Sequence, residues 1–204
     1  MASARQLALD VLPHFAEAVL CGNVLPYGYY AKAIGRSIAE DSIAIGHAMH
    51  AIGGVCVYAQ IPVAPLYFVR RADRSWRGVF ESDPLESERV LPHYDTLYAS
   101  AKVYKYTSND FTRVERGLRE VVPNKWSPHF VWHFAVVNKP KGSDETYFQR
   151  ALRNYVQIIE EAKANRAKTK KASLTARLRA TLRRRFAPTL ARLAANVRAR
   201  HQPR

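Results

Sequence analysis

The sequence predicts an α/β (α+β) fold: a winged-helix-like module, a helix-strand-helix extension and a basic helical C-terminal arm. Three observations carry that expectation. Apolar residues recur at helical spacing in 38–59, in 108–122 and after Ser143. Between these stretches lie runs rich in aromatic and β-branched residues, 66–71, 76–81, 97–106 and 130–137. Almost all of the net charge is gathered at the C-terminal end.

In chain order, LPHFAEAVL (12–20) reads as a short helix, with Pro13 accommodated in its first turn and Gly22 closing it. A second short helix over 27–34 ends at Gly35. Ser37 then caps a longer helix over 38–59. Its Ile38, Ile45, Met49, Ile52 and Cys56 are spaced 7, 4, 3 and 4 apart and share one buried face, while Gly53 and Gly54 weaken the last turns. Strands at 66–71 and 76–81 flank the turn Ala72-Asp73-Arg74-Ser75 as a hairpin. Residues 82–92 read as loop and 97–106 as a strand. An amphipathic helix over 108–122 follows, with Phe111, Val114, Leu118, Val121 and Val122 on its stripe and Pro123 as its stop. FVWHFAVV (130–137) reads as a strand. Ser143 caps a last helix whose inner face is Tyr147, Phe148, Ala151, Leu152, Tyr155 and Ile159. The chain therefore divides into an N-terminal helical segment (1–24), the winged-helix-like module (25–84), the extension (85–162) and the tail (163–204).

Charge sharpens that division. The net charge is +15, yet no acidic residue follows Glu161, and residues 163–204 hold 14 Lys and Arg. The first 162 residues carry 18 basic against 17 acidic side chains, so the body is nearly neutral and the tail is strongly cationic. Two cysteines, Cys21 and Cys56, are too few for a disulfide framework and point to a reduced, cytoplasmic setting. The N-terminal MASARQLALDVLPHF lacks the apolar run of a signal peptide, and no window approaches the 18 apolar residues of a membrane span.

The stretch LPYGYYAKAIGR, continued by AIGHAMHAIGGVC and the following hairpin, resembles the winged-helix DNA-binding domain of the alkyltransferase-like group. The residues that carry the likeness are Tyr27, Gly28, Ala31 and Gly35, then Ala44, Gly46, Ala48 and Met49, then Ile61, Pro62, Arg71 and Asp73. A similar module, with Cys56, Ile61, Pro62, Leu66, Phe68 and Val69 in register, is also found in bacterial proteins of mobile-element or phage-defence character. The likeness covers residues 25–84. Where the alkyltransferases place a nucleophilic cysteine in Pro-Cys-His-Arg, this chain has Ala64-Pro65-Leu66-Tyr67, so no thiolate is available for alkyl transfer.

The resemblance implies non-enzymatic DNA binding, with a helix-turn-helix unit on the duplex and a wing on the phosphates. The expected contacts are Tyr27, Tyr30, Lys32, Arg36, Ser42, His47 and His50 on the helices, with small Ala44, Gly46 and Ala48 allowing close approach. On the wing they are Arg70, Arg71, Arg74, Trp76 and Arg77. The arm adds Arg177, Arg179, Arg183, Arg184 and Arg185. RNA is a second nucleic-acid partner of the same chemistry.

Catalytic and metal readings are weaker, and neither a catalytic residue nor a cofactor is assigned. On a helix His47 and His50 are neighbours, but Cys56 lies nine residues beyond His47, about 13 Å along the axis, too far to share one ion with them. His129 and His133 on a strand would stand about 13 Å apart. Glu81, Asp83, Glu86 and Glu88 lack the lysine two residues on that a nuclease pattern requires, and no Gly-rich phosphate loop is present. An enzyme or toxin such as a nuclease, built around His93, Asp95, His129 and His133, stays open as the alternative. In the tail, Leu174, Leu178, Leu182 and Phe186 recur every four residues, Pro188 interrupts, and Leu190, Leu193 and Val197 resume. Two basic amphipathic pieces of this kind suit nucleic acid, an anionic membrane surface or a protein partner's groove.

Overall fold

The computed structural model describes residues 4–70, 84–123 and 130–200, and they are mostly helical. The expected α/β class with its winged-helix-like module is overturned. Among the described residues, strand is confined to Leu25–Pro26 (β1) and Val69–Arg70 (β2), which pair in parallel with Leu25 opposite Val69. The 66–71 strand is instead a helical turn, Pro65–Phe68 (α4), running into β2. The second strand of the hairpin, 76–81, lies outside the described residues.

Three helices end alike, and their sequence explains it. Helices α1 (Ala4–Leu20), α2 (Tyr27–Ala33) and α3 (Ile38–Tyr58) each close with a left-handed residue. The amide of the next residue then reaches back five positions: Asn23 to Ala18 O at 2.8 Å, Arg36 to Ala31 O at 2.8 Å, Ile61 to Cys56 O at 3.0 Å. Gly22 and Gly35 supply the first two left-handed turns, as expected. Gln60, at φ 60°, supplies the third, held by its Nε2 donating to Val57 O and to Tyr147 O, both at 3.0 Å. Helix α1 begins eight residues earlier than expected and carries Pro13 in its interior, where one backbone bond is forgone within an otherwise apolar face of Leu7, Val11, Phe15 and Val19.

Helix α3 is the centre of the core. From Ala48 to Val57 every residue is buried, and α1, α2, α4, α7 (Ser108–Val121) and α8 (Phe130–Val137) all pack against it. Small residues permit the close approach. A Cβ on Gly54 would stand 3.0 Å from Val131, and one on Gly117 of α7 would stand 2.6 Å from Val55 Cγ1. Gly53 and Gly54 thus serve packing rather than ending the helix.

The remaining strands expected at 97–106 and 130–137 are helices α6 (Tyr94–Val103) and α8, preceded by α5 (Pro84–Arg89) and a 3₁₀ turn, Leu91–His93. Both segments are β-prone by composition, but their buried neighbours are helical ridges, and tertiary packing overrides a weak strand propensity. Buried Leu97, Ser100 and Ala101 in α6, and Val131, Trp132, Ala135 and Val136 in α8, follow three- and four-residue spacing. Thr107 and Asp110 form the capping box of α7. Arg113 donates to Ala59 O at the end of α3, and Arg5 donates to Val122 O at 3.2 Å past the end of α7. Each guanidinium satisfies carbonyls at a helix's negative end.

Helix α9 spans Tyr147–Arg200, starting four residues after Ser143, because Thr146 and Gln149 cap one another instead. Its backbone continues through Pro188, where two pieces were expected; flanking Ala, Leu and Arg are strong helix formers and outweigh one missing donor. The chain forms two compact units, Met1–Ile159 and Glu160–Arg204.

Candidate nucleic-acid interface

The helix expected to meet DNA is largely the core. His50 is 1% exposed, Ala48 and Met49 are buried, and Tyr30 on α2 is fully buried edge-on to Phe15 at 5.9 Å. Burial raises the Tyr30 phenol above its usual range, with Tyr29 adding to the effect. Tyr27 and His47 are half-buried, and Lys32 and Ser42 are exposed. Arg36 is half-buried and its guanidinium is 2.9 Å from the Asp41 carboxylate. Gly46 opens outward, and a Cβ added there would meet nothing within 4 Å. Arg70 lies in β2; Arg71, Arg74, Trp76 and Arg77 fall outside the described residues.

Among the described residues the catalytic alternative gains no converging geometry. No group of three His, Cys, Asp or Glu side chains able to hold a metal exists among the described residues. His93 and His133 are exposed on separate elements, Asp95 is exposed in the first turn of α6, and His129 is outside the described residues. His93 lies edge-on to Phe148 at 5.9 Å and borders a cleft of about 480 Å³ with Glu88, Arg89, Thr146 and Gln149. The Thr146 and Gln149 side chains there are engaged in capping α9. Cys56 is buried, and burial pushes its thiol from 9.0 up to about 12, with the Asp110 charge adding and a backbone bond at Ala64 opposing. It is inert as a nucleophile at neutral pH.

The cationic arm is the second unit. Lys163, Lys170 and Arg177 recur every seven residues on α9, and all are exposed; Arg184 continues the spacing in the sequence. Lys163 Nζ is 2.7 Å from Glu160. Beyond Glu161 the sequence holds no acidic side chain, and from Ala172 onward every basic residue is Arg apart from His201. Arg179, Arg183, Arg184 and Arg185 sit on the same helical backbone. Residues 160–200 of that helix measure about 60 Å at 1.5 Å per residue. No helix among the described residues is long and apolar enough to cross a membrane.

A feature missed from sequence lies on α6. Tyr94 and Tyr98 are near-parallel, with centroids 6.4 Å apart and planes at 15°, and Tyr67 meets Tyr98 edge-on at 5.7 Å. Tyr98 is 37% exposed, and Lys102 follows it one turn on. The i, i+4 spacing was the available signal, hidden because the segment read as a strand. No family model, no curated protein and no solved structure matches this chain.

Proposed function

We propose that this protein binds nucleic acid without catalysing a reaction on it, and that the arm supplies the affinity by pairing its cations with phosphates. The observation that carries the reading is charge segregation: 14 Lys and Arg and no acidic side chains in 163–204, on a helical backbone, against a body of near-zero net charge. A duplex presents a charge about every 1.7 Å, and each phosphate neutralised releases condensed counterions. Arginine suits this role because its planar fork binds phosphate bidentately and stays charged.

A salt titration tests it. Fluorescence anisotropy of labelled duplex with full-length protein should show log K falling linearly with log salt, by about 0.9 per phosphate engaged. Replacing Arg183, Arg184 and Arg185 together with Gln should reduce that slope by about 2 to 3. Binding without a salt slope, or unchanged by the triple replacement, defeats the reading.

A second reading has its own support. Leu174 is 51% exposed and opens the four-residue apolar spacing of the tail, which phosphate pairing does not need. A basic helix with such a stripe suits an anionic membrane surface. Co-sedimentation with phosphatidylserine vesicles in the presence of competing DNA separates the two: DNA should strip the protein from vesicles if nucleic acid is the ligand.

A further inference from the structure

We propose that the body carries a stacking site for unpaired bases, formed by Tyr98 with Tyr94 and Tyr67 and completed by Lys102, so that a single strand makes a contact here that a duplex does not. This rests on the reading that the chain binds nucleic acid, and it names the class of substrate. The near-parallel Tyr94–Tyr98 pair at 6.4 Å offers flat aromatic surface to solvent on a rigid helix, and Tyr67 buttresses Tyr98 from α4 at 5.7 Å. Every base has a π-face, so an exposed tyrosine stacks any unpaired base, whereas the bases of a duplex are already stacked on each other.

Charge sets the direction of the strand. Along α6 the face runs Asp95, Tyr98, Lys102, with exposed Lys105 just beyond the helix. Lys102 at the last turn attracts phosphate. The backbone of a bound strand therefore lies toward Lys102 and Lys105, while its base covers Tyr98. Tyr98 is the one residue of this aromatic group that is exposed rather than half-buried or buried. Continuous ring contacts tie the site to the core, from Tyr67 to Phe68 at 4.9 Å and from Phe68 to Tyr106 at 5.6 Å. A site so anchored is preorganised, and little side-chain entropy is lost on binding.

The test uses full-length protein and three labelled probes of equal length: oligo-dT, an abasic strand that keeps the phosphates, and a duplex. Wild type should bind oligo-dT more tightly than the abasic strand. Tyr98→Ala should weaken oligo-dT binding about 5- to 150-fold, the size of one lost stack, and leave the abasic strand and the duplex within twofold. Tyr98→Phe keeps the ring and should restore oligo-dT binding, which a merely structural role for the hydroxyl would not. Lys102→Gln should weaken oligo-dT and flatten its salt slope by about 0.7. Equal affinity of Tyr98→Ala and wild type for oligo-dT overturns the site, as does a loss shared equally by all three probes. The arm fails separately: the Arg183, Arg184, Arg185 triple replacement addresses phosphates and should weaken every probe in parallel, whether or not Tyr98 matters.

Discussion

Trp132 Nε1 donates a 3.0 Å hydrogen bond to the carbonyl oxygen of His50, and the two rings lie 5.6 Å apart. This one relationship fixes α8 against α3 across 82 positions of sequence. It also places His50 against an indole in the core. Replacing Trp132 with Phe removes the donor and part of the ring and should lower stability by about 1 to 3 kcal/mol; Ala should cost about 3 to 5 kcal/mol. Urea unfolding followed by circular dichroism reads both. A Phe variant as stable as wild type shows that the bond contributes nothing.

Glycines on α3 and α7 should respond in opposite directions. Gly117→Ala drives a methyl to 2.6 Å from Val55 Cγ1 and should destabilise by about 1 to 3 kcal/mol. Gly46→Ala meets open space in a helix interior and should stabilise by about 0.5 to 1 kcal/mol. Paired urea midpoints decide the matter, and matching signs would contradict the packing described.

Alkaline pH should weaken the fold in a defined window. Burial raises the Cys56 thiol from 9.0 to about 12, and burial foremost also raises Tyr106 and Tyr155 well above 10.0. The folded state therefore holds these protons more tightly than the unfolded chain. Their contribution is whole below pH 9 and declines from pH 9 toward 12, as the unfolded thiol and then the phenols ionise first. Urea midpoints at about pH 8, 9.5 and 11 should fall progressively, and Cys56→Ala should flatten the first part of that fall. A midpoint that holds constant across this range would contradict it.

The two thiols should separate cleanly by reactivity. Cys21 is exposed and Cys56 buried, both as free thiols. A chromogenic disulfide at about pH 8 should titrate one thiol in the native protein and two in denaturant. Two fast equivalents in the native state would mean that the α3 core opens readily.

How much of this was written in the sequence depends on the element. Helices α2, α3 and α7 were legible within a residue or two at their starts, because Ile45, Met49, Ile52 and Cys56, or Phe111, Val114 and Leu118, mark one face at helical spacing. FVWHFAVV was not legible: it is apolar almost throughout, and a segment with no polar face shows no period. The winged-helix likeness rested on Ala44, Gly46, Ala48 and their neighbours. Small residues mark any close helix approach, and further along α3 the partner that Gly54 admits is α8 of the same body. Of the candidate interface, the arm was legible because charge is a sum over residues. The Tyr94, Tyr98, Lys102 face required the helix to be known first.

Gln60 also bears on time. Its bond to Tyr147 O, and that of the Tyr155 hydroxyl to Ile61 O, join residues 87 and 94 positions apart. The body cannot close until Tyr155 has been synthesised, and the residues of Glu160–Arg204 are translated after that. At 5 to 20 residues per second that stretch alone occupies the ribosome for about 2 to 9 s. Every residue that these two bonds join is therefore in the nascent chain before the arm is made.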